Sequence, residues 1–187
     1  WTQLGGDIDG EAADDRSGRS VSLSSDGSTV AIGAYNNDGN GSNSGHVRIY
    51  QWDATGNEWT QLGGDIYGKA GGDQSLRSVS LSSDGSTVAI GAETTDGNNS
   101  GHVRIYRYSV SSWTQLGADI DGDAAQDWSG MAVSLSSDGS TVAIGAHNND
   151  GLNGSDSGHV RIYRYIVSSW TQLGGDIDGE AADDRSG

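Results

Sequence analysis

The architecture of this chain can be worked out from SVSLSSDGSTVAIGA, residues 20–34, which encodes two strands and the turn between them. Val21 and Leu23 alternate with serines in its first half, and Val30 and Ile32 alternate with small residues in its second half. Apolar residues at every second position are typical of a β-strand with one buried face. The Asp-Gly pair between the two runs favours a tight turn. We therefore expect an antiparallel hairpin in which these four apolar side chains are buried.

Two further strands follow the hairpin. In HVRIYQW, at 46–52, Val47 and Ile49 alternate with polar residues and predict a third strand with both side chains buried. The segment WTQL, at 59–62, predicts a short fourth strand after the turn-forming residues ATGNE. No segment shows a sustained period of 3.6 residues, so almost no helix is expected.

The same unit recurs along the chain about every 56 residues. The hairpin segment returns at 78–92 and, with one change, at 132–146, and SGHVRIY occurs at 44–50, 100–106 and 157–163. Four antiparallel strands in a unit of this size are typical of a β-propeller blade. A solenoid is the alternative, but its units are usually much shorter. The small residues on the strands would let neighbouring blades approach closely.

The sequence therefore predicts an all-β protein of three four-stranded antiparallel blades, either an incomplete β-propeller or half of a self-associated ring. The predicted division is an orphan outer strand and lead-in loop at 1–18, blade 1 at 19–66, blade 2 at 67–120, blade 3 at 121–177, and a lead-in towards a missing blade at 178–187. Three blades leave two apolar blade faces open. We expect a homo-oligomer through these faces, most simply two chains closing a six-bladed ring.

The repeat also resembles a known family. The stretch DIDGEAADDRSGRSVSLSSDGSTVAIGAYNNDG, followed by SGHVRIY, resembles the FG-GAP repeat of integrin-α-type β-propellers, in a bacterial or algal-like branch. The resemblance implies an extracellular or cell-surface module for adhesion or ligand binding, and no enzyme. The hairpin that carries calcium in integrin-type repeats holds a single aspartate here, Asp26 in the first unit, which is too few oxygens for that ion.

The amino-acid composition narrows the classes of partner that the chain is expected to bind. The formal net charge is −16, which argues against binding to nucleic acid or to anionic membrane surfaces. The absence of cysteine excludes disulfides and thiolate metal sites. No run of apolar residues is long enough to insert into a membrane, and no signal peptide is present in the sequence.

Alternating strands would bring the loop at 36–45 and the lead-in loop at 6–18 to one face, the loop face. Loops held on a rigid scaffold commonly carry binding residues. The candidate ligand-binding residues are Asp38, Asp96 and Asp150 in the same loop of each repeat, and Trp128 and His147, which break the repeat.

A metal site in the acidic lead-in loops is the weaker interpretation. Tyr67 and Lys69 replace two of the acids in the second repeat, so solvated acidic loops are favoured over a metal that every blade requires. His46, His102 and His159 open the third strand of each blade, and a structural hydrogen bond is their expected role. No catalytic residue, metal or cofactor is predicted.

Three functions remain open at this stage. The first is a binding or adhesion module for a protein or glycan ligand. The second is a glycan-active catalytic propeller that uses acids such as Asp9 and Asp14. The third is a purely structural or engineered repeat array, and near-identical copies favour the first and third over a unique active site.

Overall fold

The computed structural model describes residues 1–71, 75–92 and 99–187 of the chain, and these residues form strands, turns and loops without a helix. No described segment is therefore a helix that could cross a membrane. The strands are β1 (Ser17–Leu23), β2 (Thr29–Ala34), β3 (His46–Asp53), β4 (Glu58–Gln61), β5 (Ile66–Tyr67), β6 (Ser75–Leu81), β7 (Thr87–Ala92), β8 (His102–Ser109), β9 (Ser112–Gln115), β10 (Ile120–Asp121), β11 (Ala132–Leu135), β12 (Thr141–Ala146), β13 (His159–Ile166), β14 (Ser169–Gln172) and β15 (Ile177–Asp178).

Each repeat folds into one antiparallel sheet, as the sequence predicted. Blade 1 has the strand order β1-β2-β3-β4, and blades 2 and 3 repeat it with β6-β7-β8-β9 and β11-β12-β13-β14. A fifth strand of two residues, which the sequence analysis did not predict, extends each sheet: in blade 1, Ile66 pairs with Val47 and Tyr67 with His46. Two residues are too few to show an alternating pattern, so this strand leaves no periodic signal.

The two faces of a blade have different side chains. The front face of blade 1 carries Val21, Leu23, Val30 and Ile32, because Val21 pairs with Ile32 and Leu23 with Val30. The rear face carries Ala31, Val47 and Ile49. The first core cluster joins the rear face of blade 1 to the front face of blade 2, and the second joins the rear face of blade 2 to the front face of blade 3.

The burial prediction is confirmed for the covered front face of blade 2 and only in part for that of blade 3, whose valine and leucine side chains in β11 are half-buried. Val79 and Leu81 on the front of blade 2 are 9% and 7% exposed. Their counterparts Val21 and Leu23 are 61% and 57% exposed, so the prediction was wrong for these two residues. The side chains are the same, but no described residue forms a sheet in front of blade 1. On the rear of blade 3, Val160 is likewise half-buried.

Small polar residues also link the blades. The backbone N–H of Leu81 donates a hydrogen bond of 2.9 Å to Ser22 Oγ of blade 1, and Leu135 donates in the same way to Ser80 Oγ. The indole Nε1 of Trp113 donates to the carbonyl of Leu62 at 2.7 Å, an outer-edge contact repeated by Trp59 with Leu4 and by Trp170 with Leu116. The serines of the strands therefore form part of the interface between blades.

The hairpin aspartates hold their own turns. Asp26 accepts hydrogen bonds from Ser24 Oγ at 2.7 Å and from the backbone N–H of Ser28 at 2.9 Å. The bond from the Ser28 backbone, followed by those from the serine hydroxyls, lowers the pKa of Asp26 from 3.8 to about 2. Hydrogen bonds from serines lower the pKa of Asp138 to about 2 as well, and also lower that of Asp84. The folded chain therefore stabilises the ionised form of these carboxylates, compared with the unfolded chain.

Replacing the three hairpin aspartates with asparagine is expected to lower the melting temperature at neutral pH. A lowered folded-state pKa adds stability that is complete above the unfolded value of 3.8 and disappears as the pH falls through about 2. The difference in melting temperature between the natural chain and Asp26→Asn/Asp84→Asn/Asp138→Asn should therefore close over that range. Circular dichroism melts of both proteins at several pH values measure it, and a difference that stays constant down to pH 2 would contradict the prediction.

Candidate functional site

The long loops of each blade meet on the loop face. Asn37 Nδ2 donates to Asp15 Oδ2 at 2.9 Å, which joins the loop at 36–45 to the lead-in loop at 6–18. Blade 3 repeats the contact between Asn149 Nδ2 and Asp127 Oδ2 at 2.9 Å. Asp15 and Asp127 are buried, at 6% and 3% exposure. The loop face is thus held in shape by buried hydrogen bonds between its loops.

Asp38 and Asp150, two of the predicted ligand-binding residues, are exposed on this face and close their own loops. Asp38 Oδ1 accepts a hydrogen bond of 2.7 Å from the backbone N–H of Asn43, and Asp150 Oδ1 accepts one of 3.0 Å from that of Asp156. Both side chains therefore have a structural role, whatever else they contact. Asp96 lies outside the described residues.

The structure brings Trp128 and His147, the repeat-breaking pair, into contact. Their ring centroids are 5.3 Å apart and the rings are edge-on, with an interplanar angle of 65°. In blade 1 the same positions hold Arg16 and Tyr35, where the guanidinium lies 5.5 Å from the ring centroid. Both aromatic residues of blade 3 are half-buried. The contact between the two rings thus takes the place of the Arg16–Tyr35 contact of blade 1, and the two rings do not form a fully exposed patch.

An open cavity of about 600 Å³ lies on the loop face of blade 3. It is lined by Asp123, Asn149, Asp150, Gly151, Leu152, Arg161, Gly175, Asp176 and Asp178. Arg161 lies between two of the acids: it contacts Asp123, and its Nε and Nη2 donate to the two carboxylate oxygens of Asp176 at 3.0 and 2.9 Å. The hydrogen bond from Arg161 is the main cause that lowers the pKa of Asp176. Such a surface can accept hydrogen bonds from hydroxyl or amine groups.

A second type of groove is repeated in each blade, at the outer edge. It is formed by an Asp-Ile pair, a tyrosine of the third strand and the tryptophan of the fourth strand. The three grooves contain Asp7, Ile8, Tyr50 and Trp59; Asp65, Ile66, Tyr106 and Trp113; and Asp119, Ile120, Tyr163 and Trp170. Each therefore presents aromatic surface beside a carboxylate.

The histidines at the start of the third strands face carboxylates, which the sequence analysis missed. His46 is 1% exposed, and its Nδ1 lies 3.7 Å from Glu11 Oε2 and 4.0 Å from Asp65 Oδ2. In blade 3, His159 Nδ1 lies 3.9 Å from Asp176 Oδ2. Burial lowers the pKa of His46 below its ordinary value, which favours the neutral imidazole. No sequence signal predicts this contact, because it depends on the two-residue fifth strand that places the residues around Asp65 beside His46.

The arginines of the third strands in blades 1 and 2 are buried: Arg48 and Arg104 are 7% and 5% exposed. Arg48 Nη2 donates to the carbonyl of Asp9 at 2.9 Å, and Arg104 Nη2 donates to that of Tyr67 at 3.1 Å. They therefore fix the lead-in loops to the sheets.

Comparison with known proteins gives a family and a fold. Residues 8–50 and 115–163 match the FG-GAP repeat. No curated protein matches the chain. Among solved structures, it is similar to a "putative 6-phosphogluconolactonase" from Bacteroides fragilis, with 12% identity and a TM-score of 0.58 over 87% of this chain and 39% of that one. It is also similar to a second "putative 6-phosphogluconolactonase", from Bacteroides uniformis, with 15% identity and a TM-score of 0.56 over 84% of this chain and 40% of that one. The similarity to Sqt1 from Saccharomyces cerevisiae has 15% identity and a TM-score of 0.55 over 91% of this chain and 37% of that one.

The chain spans about two fifths of the length of these solved structures. At 12 to 15% identity the similarity shows the fold alone. It is an independent confirmation that the three sheets are propeller blades.

Proposed function

Because the chain belongs to the FG-GAP repeat family, we propose that it is a non-catalytic β-propeller module that binds a protein or glycan ligand through its loop face, in adhesion at the cell surface or outside the cell.

The observation that carries this proposal is the acidic cavity of blade 3. Its volume of about 600 Å³ lies within the range of ligand sites, and Asp123, Asp150, Asp176 and Asp178 line it together with Arg161. Carboxylates accept hydrogen bonds from sugar hydroxyls or from basic side chains, and a guanidinium donates to carbonyl or ring oxygens. Hydrogen bonds such as the one from Asn149 to Asp127 fix the loops of blade 3, so a ligand would meet a preformed surface.

The grooves of the outer edge support a ligand that itself repeats. Each blade presents an aspartate beside a tyrosine and a tryptophan, for example Asp65, Tyr106 and Trp113. Equivalent sites on linked blades raise the overall affinity for a polymeric ligand without any new contact. A glycan chain has this property, and its apolar ring faces suit aromatic side chains while its hydroxyls suit the carboxylates.

Binding is tested by glycan and protein arrays, followed by titration of the ligand found. Asp150→Asn and Asp178→Asn are expected to weaken binding about tenfold each, since each removes an ionised acceptor worth about 1.5 kcal/mol or more. Asp53→Asn is the matched control, because Asp53 also closes its own turn, with Thr55 N–H at 2.8 Å, but does not line the cavity.

The result for Asp38→Asn tells whether binding is repeated in each blade. A loss equal to that of Asp150→Asn would indicate one site per blade, and no loss would restrict the ligand to blade 3. Unchanged affinity in both Asp150→Asn and Asp178→Asn would overturn the assignment of the cavity. Turnover of an array ligand would favour the catalytic alternative.

We also propose that a second copy of the chain covers the open blade faces. The front face of blade 1 carries the same apolar residues as the front face of blade 2, and the rear face of blade 3 carries the same ones as the rear faces of blades 1 and 2. Inside the chain, these front and rear faces pack together twice. The contact between copies would therefore repeat an interface that the chain already contains.

The hydrogen bonds between blades support the same contact. Ser134 of blade 3 is equivalent to Ser22 and Ser80, whose hydroxyls accept a hydrogen bond from the next blade. Leu23 of blade 1 is equivalent to Leu81, whose backbone N–H donates such a bond. Two chains joined at both open faces would give six blades, within the usual range of about four to eight for closed propellers.

A further inference from the structure

One cluster on the loop face differs from its counterparts in the other blades. Glu11 from the lead-in loop, His46 at the start of β3 and Asp65 just before β5 converge there. Their possible ligand atoms all lie within 4.8 Å of one another. The cluster is distinct from the blade 3 cavity and from the calcium hairpin of integrin-type repeats, which here is a short turn with one aspartate.

The imidazole of His46 supplies an independent observation. His46 is 99% buried, and among the described residues its Nδ1 has no hydrogen-bond partner. The distances of 3.7 Å to Glu11 and 4.0 Å to Asp65 are too long for hydrogen bonds. A buried polar atom without a partner is rare in folded proteins and calls for an explanation, such as an ion. This one points at two carboxylates.

Blade 2 contains a cation at the equivalent place. Its counterpart of Glu11 is Lys69, whose ammonium forms an ion pair with Asp119, the counterpart of Asp65. The hydrogen bond that the Lys69 ammonium donates to Asp119 is the first cause that raises the pKa of Lys69. The substitution that seemed to argue against a metal in every blade therefore places a positive charge where blade 1 has a third ligand group.

Blade 3 also contains a cation at this place, from another residue. The guanidinium of Arg161 contacts both Asp176 and Asp123, the counterparts of Asp65 and Glu11. His159, Asp176 and Asp178 also converge there, but the charge of Asp176 is already balanced by this guanidinium.

In blade 1 the aspartate has neutral donors. Asp65 accepts from Gln61 Nε2 at 2.6 Å and from Tyr67 Oη at 3.0 Å, and no lysine or arginine of the described residues lies within ion-pair distance of it. Arg48 lies 3.4 Å from Glu11 and donates to a carbonyl instead. Of the two carboxylates, Glu11 therefore has one arginine nearby and Asp65 has none.

We propose that Glu11, His46 and Asp65 bind one divalent transition-metal ion of the zinc class. One imidazole nitrogen and two carboxylate oxygens are ligands that zinc accepts, whereas calcium prefers six to eight oxygens. The Glu11 side chain is 46% exposed, which gives the ion a path from solvent and leaves a coordination position for water or a ligand group. The site goes beyond the proposed binding of a ligand in blade 3 and does not depend on it.

Isothermal titration of the full chain with Zn²⁺ tests the site. We expect one ion per chain, no competition from a large excess of Ca²⁺, and a higher melting temperature in the presence of Zn²⁺. Glu11→Lys, which copies the residue of blade 2, is expected to reduce the affinity at least about tenfold, as is His46→Gln. Glu180→Lys is the matched control, because Glu180 has the same local sequence as Glu11 and belongs to no such cluster of the described residues.

The reciprocal variant tests for a gain of binding. Lys69→Glu joins a new carboxylate to Asp119 and His102 of blade 2 and is expected to raise the stoichiometry from one ion to two. It keeps the proposal testable even if Glu11→Lys lowers the stability of blade 1. The proposal is overturned by absence of Zn²⁺ binding to the natural chain at micromolar concentration, or by equal affinity in Glu11→Lys and Glu180→Lys. A stoichiometry that stays at one in Lys69→Glu would also contradict it.

Discussion

Leu23→Asp is expected to turn a self-associated chain into a folded monomer, whereas Leu81→Asp is expected to unfold it. The two leucines occupy the same position in identical hairpins, but Leu23 is 57% exposed and Leu81 is 7% exposed. A carboxylate at Leu81 would be buried between two blades, where lost packing and desolvation of the charge together cost about 4 kcal/mol or more. At Leu23 the carboxylate stays in water in the monomer and is buried only if a second copy covers the face.

Sedimentation velocity and light scattering at micromolar concentration, together with urea unfolding, separate the two effects. The natural chain should sediment as a dimer, and Leu23→Asp as a monomer whose circular dichroism is unchanged. Asp53→Asn serves as a control because Asp53 lies at the end of β3, where it accepts from the turn that follows, away from both open faces. A natural chain that is a stable, soluble monomer under these conditions would refute the covering of the open faces by a second copy.

Gly91→Ala is expected to destabilise the chain by about 3 kcal/mol or more, the upper end of the cost of overpacking. Gly91 lies in β7, and a Cβ there would be 1.9 Å from the carbonyl oxygen of Gly130 and 2.5 Å from Ser78 Oγ. The first neighbour is backbone of the next blade, which cannot move aside without separating the blades. The glycine of the VAIGA motif is thus required for close approach between blades.

Gly64→Ala provides the control for that experiment. A Cβ at Gly64 meets nothing within 4 Å, and its backbone conformation is open to other residues, so the change should stay within about 0.5 kcal/mol. Equilibrium urea unfolding of both variants gives the comparison. Equal midpoints would show that the sheets can separate locally without loss of stability.

The fold could be predicted because its signals are local. Alternating apolar residues in 20–34 and 46–52 predicted three strands of each blade, and the repeat predicted the number of blades. Which copies of the same side chain are buried depends on neighbouring sheets, so Val21 and Leu23 could not be told apart from Val79 and Leu81 by any pattern within a repeat. The fifth strand is too short for periodicity to reveal it.

The candidate site was only partly accessible from the sequence. Loop length and composition pointed to the loop face, and Asp150 does line its cavity. The cluster of Glu11, His46 and Asp65 could not be found in this way, because its members come from three segments and converge only through the pairing of β5 with β3. The contact between Trp128 and His147 also follows from the fold, since one lies in a lead-in loop and the other after an inner strand.

The two covered faces of blade 2 have a consequence for amide hydrogen exchange. The segment at 78–92 is identical to the one at 20–34, so the intrinsic exchange rates of their amides are nearly equal. Only blade 2 must lose contacts on both sides before its inner strands open, and Ile90 is 1% exposed where Ile32 is 9% exposed. In a monomer, amides of blade 2 should therefore exchange more slowly than the same amides of blade 1. One fifteen-residue sequence would then show two protection factors in a single molecule, and their ratio would measure the free energy that a neighbouring blade contributes.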